Sequence, residues 1–226
     1  SYRRVLEQNF NSIEAMHNLS ILAIKKEDFQ DAFSLTTKIH QLEPNFAPAY
    51  FIDGLIDQSQ GNSETALQNF KKAIFYDVTF VQAFDAYRQV AELLGKKVGD
   101  RDADIVFYTA GMSFDGETIY RNGLGGSESA LFYMARSLAQ SGLVVKVFNN
   151  CERPGAYENV EYGDITDFYI FNHFNKARVF VSSRSFKPFQ QDIHAEKLVV
   201  WLHDTVDVAY LKGVDFSKIE WNRLEP

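Results

Sequence analysis

A period of 34 residues in the first part of the chain constrains its fold more than any other feature of the sequence. When the sequence is shifted by 34 residues, Ala15 falls on Ala49 and then on Ala83, and Ala32 falls on Ala66. This period is typical of a helix–turn–helix repeat, in which small residues stand where the two helices touch. The sequence therefore predicts stacked helical pairs, and two amphipathic helices with chance similarity are the alternative.

The boundaries of the repeats follow from the same alignment. We expect one repeat at 13–46, a second at 47–80 and a last helix at 81–95. That helix would cover the open apolar face at the end of the stack. Residues 2–12 have the character of the end of an earlier repeat, and the first residue is not methionine. We therefore expect the chain to be a fragment of a longer polypeptide.

The residues that carry the character of a known repeat are Pro44, Tyr50, Gly54, Ala66, Phe70 and Ala73. They resemble the tetratricopeptide repeat over about the first 95 residues. Asp53 and Asp57 depart from that family's pattern, which has an apolar and an aromatic residue there, and Val78 replaces its closing proline. The resemblance implies a groove that binds a peptide or a neighbouring domain. A spacer or oligomerisation arm is the alternative, and 10 basic against 12 acidic residues in 1–98 favour no particular partner.

After a polar, glycine-flanked linker at 95–102, short apolar runs alternate with helical patterns. This alternation implies a parallel sheet that is covered on both faces. We therefore predict an all-α repeat domain at 1–98, followed at 99–226 by an α/β, doubly wound parallel-sheet, Rossmann-like domain. The predicted strands are 105–108, 143–148, 159–162, 178–181 and 198–202, and the predicted helices are 127–141, 167–176 and a short one near 188–194.

Four segments are expected to form any binding site. Ligands of such sheets bind beyond the carboxyl ends of the strands, near the change in strand order. The segments that leave those ends are 110–126, 149–156, 182–187 and 203–215, and the first reads as a loop with five glycines. The chain carries a net charge of −7, which excludes a nucleic-acid binder that relies on overall basicity.

The strongest chemical candidate is the glycine-rich segment 123–128 at the start of a predicted helix. Adjacent glycines let backbone N–H groups approach a ligand, and a helix N-terminus favours an anion. Glu128 stands where a dinucleotide-binding fingerprint needs its third glycine, and the segment lies too far past the first strand. No Gly-Lys-Ser/Thr follows, so a phosphate-binding loop of that type is also excluded. The alternative is structural, with Ser127 capping the helix and Glu128 complementing its dipole.

The second candidate is the pair His203 and Asp204, directly after the last predicted strand. An imidazole and a carboxylate at that position can hold polar groups of a substrate, whereas a helix cap or a local hydrogen bond is the structural alternative. His194, Asp207 and Cys151 show no recognised metal-ligand spacing, so we expect no metal. No Gly-x-Ser-x-Gly elbow is present, which argues against a serine nucleophile. We expect a packing or surface role, and no metal binding, for His17 and His40, which lie in the helical repeats.

Together the two motifs resemble a retaining glycosyltransferase of the family-4 type with the two-domain GT-B fold. The resemblance covers about 103–215, the N-terminal, acceptor-side Rossmann domain. It implies transfer of a sugar from a nucleotide-diphosphate donor, with no further cofactor. Gly125 and Gly126 would meet the donor through backbone N–H groups, and Glu128 would position this helix start. The resemblance implies that the donor-binding residues are Gly125, Gly126, Ser127 and Glu128. It implies that the catalytic residues are His203 and Asp204. From their position in the chain, we also expect Tyr120 and Arg121 to line the acceptor pocket.

One departure from this family is large. Its members need a C-terminal Rossmann domain with a Glu-x7-Glu element, and no two glutamates stand eight residues apart in these 226 residues. We therefore expect the parent protein to be a retaining glycosyltransferase. We expect half of an active site and no turnover by this chain alone, because the C-terminal donor-binding domain is absent. The repeats would recruit the acceptor, which is a sugar, a lipid or a protein, or they would recruit a protein partner.

Two other functions remain open on the sequence. One is a non-catalytic protein-interaction module whose Rossmann-like domain only binds a ligand. The other, weaker function is a nucleotide- or methyl-donor-binding Rossmann enzyme, which would need a glycine turn immediately after the first strand, and that turn is absent. The sequence names neither the donor nucleotide nor the sugar.

We expect a cytoplasmic protein. A single cysteine, Cys151, fits a reducing compartment. No uncharged run approaches the length of a transmembrane helix, and no signal-peptide pattern is present.

Overall fold

A computed structural model describes residues 12–99, 101–202, 214–215 and 217. The chain divides into two compact units, a repeat unit within Ser1–Val98 and a sheet unit within Gly99–Pro226. None of the described helices combines the length and the apolar character that a membrane-spanning helix needs.

The described part of the repeat unit contains five helices. They are α1 (Ile13–Lys25), α2 (Phe29–Leu42), α3 (Ala47–Ser59), α4 (Ser63–Tyr76) and α5 (Val81–Leu93). Two helical pairs followed by a last helix are what the 34-residue period predicts, so the prediction of tetratricopeptide-like repeats is confirmed.

The small residues of the 34-residue period lie at the contacts between helices. The alanines that define the period, at positions 15, 32, 49, 66 and 83, are at most 2% exposed. Gly54 in α3 faces the ring of Phe70 in α4, and a Cβ atom on this glycine would lie 2.5 Å from that ring. Side chains larger than these would push the helices apart, which is why the period is one of small residues.

The two aspartates that depart from the repeat pattern have polar partners on neighbouring helices. Asp53 Oδ2 lies 2.7 Å from His40 Nε2, and Asp57 Oδ2 accepts a hydrogen bond of 2.8 Å from Asn69 Nδ2. Each pair replaces an apolar contact by a polar one between consecutive helices. Asp53 and Asp57 thus depart from the family pattern without disturbing the repeat, because each replaces an apolar contact between helices by a hydrogen-bonded pair.

His17 in α1 makes the stability of the repeat unit sensitive to mild acid. Burial lowers the pKa of its imidazole below 6.5, its ring packs edge-on against Phe46, and among the described residues its buried Nδ1 atom has no hydrogen-bond partner. The unfolded chain therefore takes up a proton before the folded chain does as the pH falls below about 6.5. We expect the free energy of unfolding to fall between pH 7 and pH 5.5.

The variant His17→Gln tests this expectation because it removes the titrating group. Urea unfolding at several pH values should show a smaller loss of stability on acidification in His17→Gln than in the unsubstituted chain. An equal loss in both chains would assign the acid sensitivity to other residues.

The sheet unit contains five described strands and three α-helices. They are β1 (Ala103–Thr109), α6 (Thr118–Arg121), α7 (Gly126–Gln140), β2 (Val145–Tyr157), β3 (Val160–Asp164), α8 (Ile165–Phe174), β4 (Ala177–Ser183) and β5 (Ala195–Trp201). The strands are parallel along their main register and lie in the order β3-β2-β1-β4-β5. The chain thus steps outward from β1 to β3 and then returns to place β4 on the other side of β1. This order is doubly wound and Rossmann-like, as predicted.

Helices cover both faces of the sheet. Side chains of β1 alternate between two apolar layers, as the two-residue period of a strand requires. Val106 and Tyr108 pack with Phe168 of α8 in one layer, whereas Phe107 packs with Leu131 of α7 in the other. Both layers are buried, so the strands have the nearly continuous apolar sequences by which they were predicted.

The structure corrects the prediction for β2. Segment 149–156 was expected to leave the sheet, but β2 continues to Tyr157, and its last residues pair with β3 in the reverse direction, with Tyr157 opposite Val160. The chain reverses at Glu158 and Asn159, whose φ angles are 47° and 66°. Positive φ at both central residues is the geometry of a tight two-residue hairpin.

Two shorter elements also differ from the prediction. The loop expected over 110–126 contains helix α6, which begins after a turn in which Asp115 Oδ1 accepts hydrogen bonds from the Glu117 N–H and the Thr118 hydroxyl. The helix expected near 188–194 is a 3₁₀ turn at Lys187–Gln190. In both places a side-chain hydrogen bond or a proline sets a local turn that hydrophobic periodicity does not detect.

Candidate functional site

The candidate site lies at the carboxyl edge of the sheet, between β1 and β4. These strands are neighbours along their whole length, up to the pair of Thr109 and Ser183. Their following segments lead to opposite sides, because β2 and β3 lie beyond β1 while β5 lies beyond β4. A crevice opens where connections diverge in this way, and ligands of doubly wound sheets bind there.

Helix α7 starts at this crevice without a side-chain cap. Gly125 is the N-cap residue and has an extended conformation. Because it is a glycine, it has no side chain that could cap the helix. Ser127 is the second residue of the helix, so the structural alternative, in which Ser127 caps α7, is wrong on this point. The first N–H groups of a helix need a partner from outside the helix, and no side chain of the described residues caps them here.

Two glycines of the preceding segment are required by the fold. A Cβ atom on Gly116 would overlap the side chain of Tyr157. Gly123 has a φ of 71°, in the left-handed region that favours glycine. Neither residue therefore indicates a ligand.

Two further glycines lie against the carboxylate of Glu128. A Cβ atom would lie 3.0 Å from Oε1 of Glu128 if it were built on Gly111, and 2.7 Å from Oε2 if it were built on Gly125. The Ser127 hydroxyl donates a 3.0 Å hydrogen bond to the same Oε2 atom. Glu128 thus occupies the space between the segment after β1 and the helix start.

Gly126 differs from these four glycines because the fold gives no reason for it. Its φ is not positive, and a Cβ atom built on it would have no atom of the described residues within 4 Å. It is the first residue of α7 and is exposed. Absence of a side chain here leaves open space in front of the helix start, where another molecule can approach the backbone closely.

Arg184 contributes a positive charge to this crevice and was not singled out from the sequence. It is the first residue after β4, and its Nη1 atom donates a 2.7 Å hydrogen bond to the Ser127 hydroxyl. Its backbone N–H donates to the Trp201 carbonyl at 3.1 Å. The sequence signal that could have found it is that Arg184 is the first of two basic residues in segment 182–187, which leaves a predicted strand.

The segment after β1 is held to the sheet by two asparagines. The Asn149 side chain is fully buried, donates to the Phe114 carbonyl at 3.0 Å and accepts from the Phe114 N–H at 3.4 Å. Asn150 donates to the carbonyl of Gly111 at 2.9 Å. These bonds satisfy backbone groups of a loop that would otherwise be bonded only to water. They keep Gly111 in place against the helix start.

Tyr120 and Arg121, predicted for the acceptor pocket, have separate partners. The Tyr120 hydroxyl accepts a 2.8 Å hydrogen bond from Arg136 Nη1, and its ring is largely exposed. Arg121 Nη2 donates to both carboxylate oxygens of Asp115, at 2.5 and 2.7 Å. The two side chains are thus held by different residues.

Asp115 fixes the shape of this region. Its carboxylate is buried and also lies 3.3 Å from Arg153 Nε, on the last part of β2. Burial alone would raise the pKa of Asp115, but hydrogen bonds from Arg121, the Glu117 N–H and Thr118 hold its pKa below the ordinary value. The side chain is therefore charged at neutral pH and ties the loop to β2. We call the side chains of Asp115, Arg121 and Arg153 the loop latch.

Three candidate residues remain: His203 and Asp204, which the structure does not describe, and Cys151, which is described. His203 and Asp204 lie outside the described residues, and β5 ends at Trp201 before them. Burial and nearby carboxylates raise the pKa of the Cys151 thiol to about 11, so this thiol is protonated at neutral pH and is a poor nucleophile. Among the described residues, no three His, Cys, Asp or Glu side chains come together in a way that suits a metal ion.

Comparison with known proteins gives matches to solved structures alone. No family model matches the chain, and no curated protein matches it. Two structures of MamA are 22% identical, with TM-scores of 0.38, over 42% of this chain and 56% and 51% of theirs. A mutant O-GlcNAc transferase of Thermobaculum terrenum is 14% identical, with a TM-score of 0.40, over 90% of this chain and 46% of its own. This chain thus spans about half the length of the structures it matches, and the similarity is too slight to argue from.

Proposed function

We propose that this chain is the acceptor-side half of a retaining glycosyltransferase of GT-B fold, which moves a sugar from a nucleotide-diphosphate donor to an acceptor. One observation carries the proposal. Within the described part of the chain, no side chain caps the start of α7 at the β1–β4 crevice, and Gly126 at that start has neither the dihedral angle nor the close packing that would require a glycine. Backbone N–H groups at a helix start, with open space before them, suit the phosphates of such a donor.

The roles of the residues in this proposal are those that the family resemblance implies. The N–H groups at Gly125 and Gly126 bind the diphosphate, and Ser127 and Glu128 hold the helix start in place. The pair at 203–204 lies by the transferred sugar, which it orients. A second domain of the parent protein completes the site, because the developing charge of the transition state needs groups on both sides.

The acceptor binds on the side of Tyr120 and Arg121. The latch with Asp115 keeps Arg121 in one orientation, so its role is to shape the pocket. The repeat unit recruits the acceptor or a protein partner, and the protein works in the cytoplasm.

Substitution of Gly126 by tryptophan tests the proposal. We expect the variant Gly126→Trp to fold normally, because none of the described residues has an atom within 4 Å of a Cβ atom built at this position. Its affinity for a nucleotide-diphosphate sugar should fall at least tenfold, because the indole fills the space that the diphosphate needs. A tenfold loss corresponds to about 1.4 kcal/mol of binding free energy. Amide chemical shifts of the chain, followed by NMR during titration with UDP-glucose, GDP-mannose and ADP-glucose, measure the affinity.

The matched control is Ser137→Trp, which adds the same side chain at an exposed position farther along α7. This variant should bind the donor with the same affinity as the unsubstituted chain. Equal affinities in the parent chain and in Gly126→Trp would remove the glycine segment from the donor site.

A further inference from the structure

A cavity of about 540 Å³ opens at the amino edge of the sheet, opposite the edge that carries the candidate site. We call it the amino-edge cavity. Its volume lies within the range of about 300–1,000 Å³ that is typical of small-molecule sites. Residues at the beginnings of β1, β4 and β5 line it, and all of them belong to the sheet unit. The charged or titratable ones are Asp102, Lys176, Arg178, Asp192, His194 and Glu196.

Short apolar side chains form the floor of the amino-edge cavity. Ala103 of β1 lies opposite Ala177 of β4, which in turn lies opposite Ala195 of β5. Strands usually carry β-branched or aromatic side chains, and such side chains at these positions would fill the space. Ile193 adds a buried apolar side chain to the lining. The floor can therefore accept an apolar part of a ligand.

The main chain around the cavity is held in place by side chains. Asn172 of α8 is buried, donates a 2.9 Å hydrogen bond to the Asp192 carbonyl and accepts one of 2.9 Å from the His194 N–H. On the other side of the cavity, the Lys176 N–H donates to Asp102 Oδ1 at 2.8 Å. A ligand therefore meets a largely preformed site, which lowers the entropic cost of binding.

Two oppositely charged side chains of the lining have no ion-pair partner among the described residues. They are Lys176, which directly precedes β4, and Glu196, which is the second residue of β5. By contrast, Arg178 Nη1 lies 3.0 Å from Asp104 Oδ1. Because β4 and β5 are neighbours, about 4.8 Å apart, the two unpaired charges stand close together. Their flexible side chains can span the short distance between the two termini of an amino acid or a dipeptide.

The mixture of charges in the lining restricts the class of ligand. A nucleotide or another polyanion would meet the carboxylates of Asp102, Asp192 and Glu196, whereas a polyamine would meet Lys176 and Arg178. Neither class suits a lining that carries both signs. A zwitterion suits it, because its carboxylate accepts hydrogen bonds from an ammonium group and its own ammonium group donates to a carboxylate.

We propose that the amino-edge cavity binds a free amino acid or dipeptide with apolar side chains. The carboxylate of the ligand pairs with Lys176, its ammonium group pairs with Glu196, and its apolar side chains lie on the floor of alanines. This inference does not depend on the proposed function, because the cavity lies at the opposite edge of the sheet from the candidate donor site.

The experiment is an NMR titration of the 226-residue chain with leucyl-leucine and with two blocked forms of it. The N-acetyl form lacks the ammonium group, and the methyl ester lacks the carboxylate. We expect leucyl-leucine to bind and to shift the amide signals of 102–103, 176–178 and 192–196. Each blocked form should bind about fivefold more weakly, which is the size of effect expected from the loss of one exposed ion pair.

Two variants show which charge of the ligand each residue recognises. Lys176→Gln should weaken the binding of leucyl-leucine about fivefold and leave that of the methyl ester unchanged. Glu196→Gln should weaken the binding of leucyl-leucine to the same extent and leave that of the N-acetyl form unchanged. The matched controls are Lys26→Gln and Glu27→Gln, at exposed positions of the repeat unit, which should bind all three ligands as the unsubstituted chain does. Melting temperatures show whether each variant is folded.

Two outcomes would overturn the proposal. One is the absence of binding when leucyl-leucine is added to the unsubstituted chain at millimolar concentration. The other is an equal loss of affinity for all three ligands in a folded variant, which would show that the substitution alters the shape of the cavity and that the charges are not read. Neither outcome affects the donor site, which Gly126→Trp tests separately.

Discussion

Replacement of Phe70 by alanine is expected to lower the free energy of unfolding of the repeat unit by about 3–5 kcal/mol. Phe70 in α4 is completely buried, and its ring fills the space that Gly54 of α3 leaves open. It also lies 5.6 Å from the ring of Phe51, between centroids. Removal of the ring would leave a cavity between two helices whose backbones cannot close it without a shift of the whole pair.

Urea unfolding, followed by circular dichroism, measures this loss. Phe75→Ala is the matched control, because Phe75 lies on the same helix and is 52% exposed, so its loss should change stability by about 0.5 kcal/mol or less. Gly54→Ala should be destabilising in the parent chain, where its methyl group meets the Phe70 ring, and less so in the Phe70→Ala background. Equal costs in both backgrounds would mean that Gly54 and Phe70 do not share one contact.

Much of this fold could be predicted because the patterns that encode it are local. The 34-residue period places small residues at every contact between helices of the repeat unit, and it is visible without any knowledge of the fold. The strands of the sheet unit are apolar on both faces, so β1 and β5 are recognisable as short apolar runs. Their alternation with helices then fixes a parallel, doubly wound sheet.

The candidate site could be predicted less well, because its contacts join distant parts of the chain. Arg184 and Ser127 are 57 residues apart, and Asn149 holds Phe114 across 35 residues. No local pattern records such pairs. The glycines of the segment after β1 were visible in the sequence, but only the structure separates Gly126, which the fold does not require, from glycines that packing or a turn demands.

Loss of the Asp115 carboxylate is expected to release the segment after β1 and to destabilise the sheet unit by about 2–3 kcal/mol. Removal of one partner of a buried ion pair costs about 3–5 kcal/mol when the remaining charge stays buried. The cost here is smaller because Arg121 and Arg153 both reach solvent. In Asp115→Ala, hydrogen exchange of the backbone amides at 111–121 should be at least tenfold faster than in the parent. Glu196→Ala, which removes an exposed carboxylate at the amino end of β5, should leave both quantities unchanged.

The loop latch also predicts how stability responds to strong acid. Because the pKa of Asp115 is lower in the folded chain than in the unfolded chain, the latch contributes its full stability above about pH 4. That contribution is lost as the pH falls further and Asp115 takes up a proton. The variant Asp115→Asn keeps the shape of the side chain but removes the charge, so it should be less stable than the parent at pH 7, and the difference should shrink toward pH 3. A difference that stays constant over this range would show that Asp115 acts through packing, and the charge of the latch would then have no role in holding the loop.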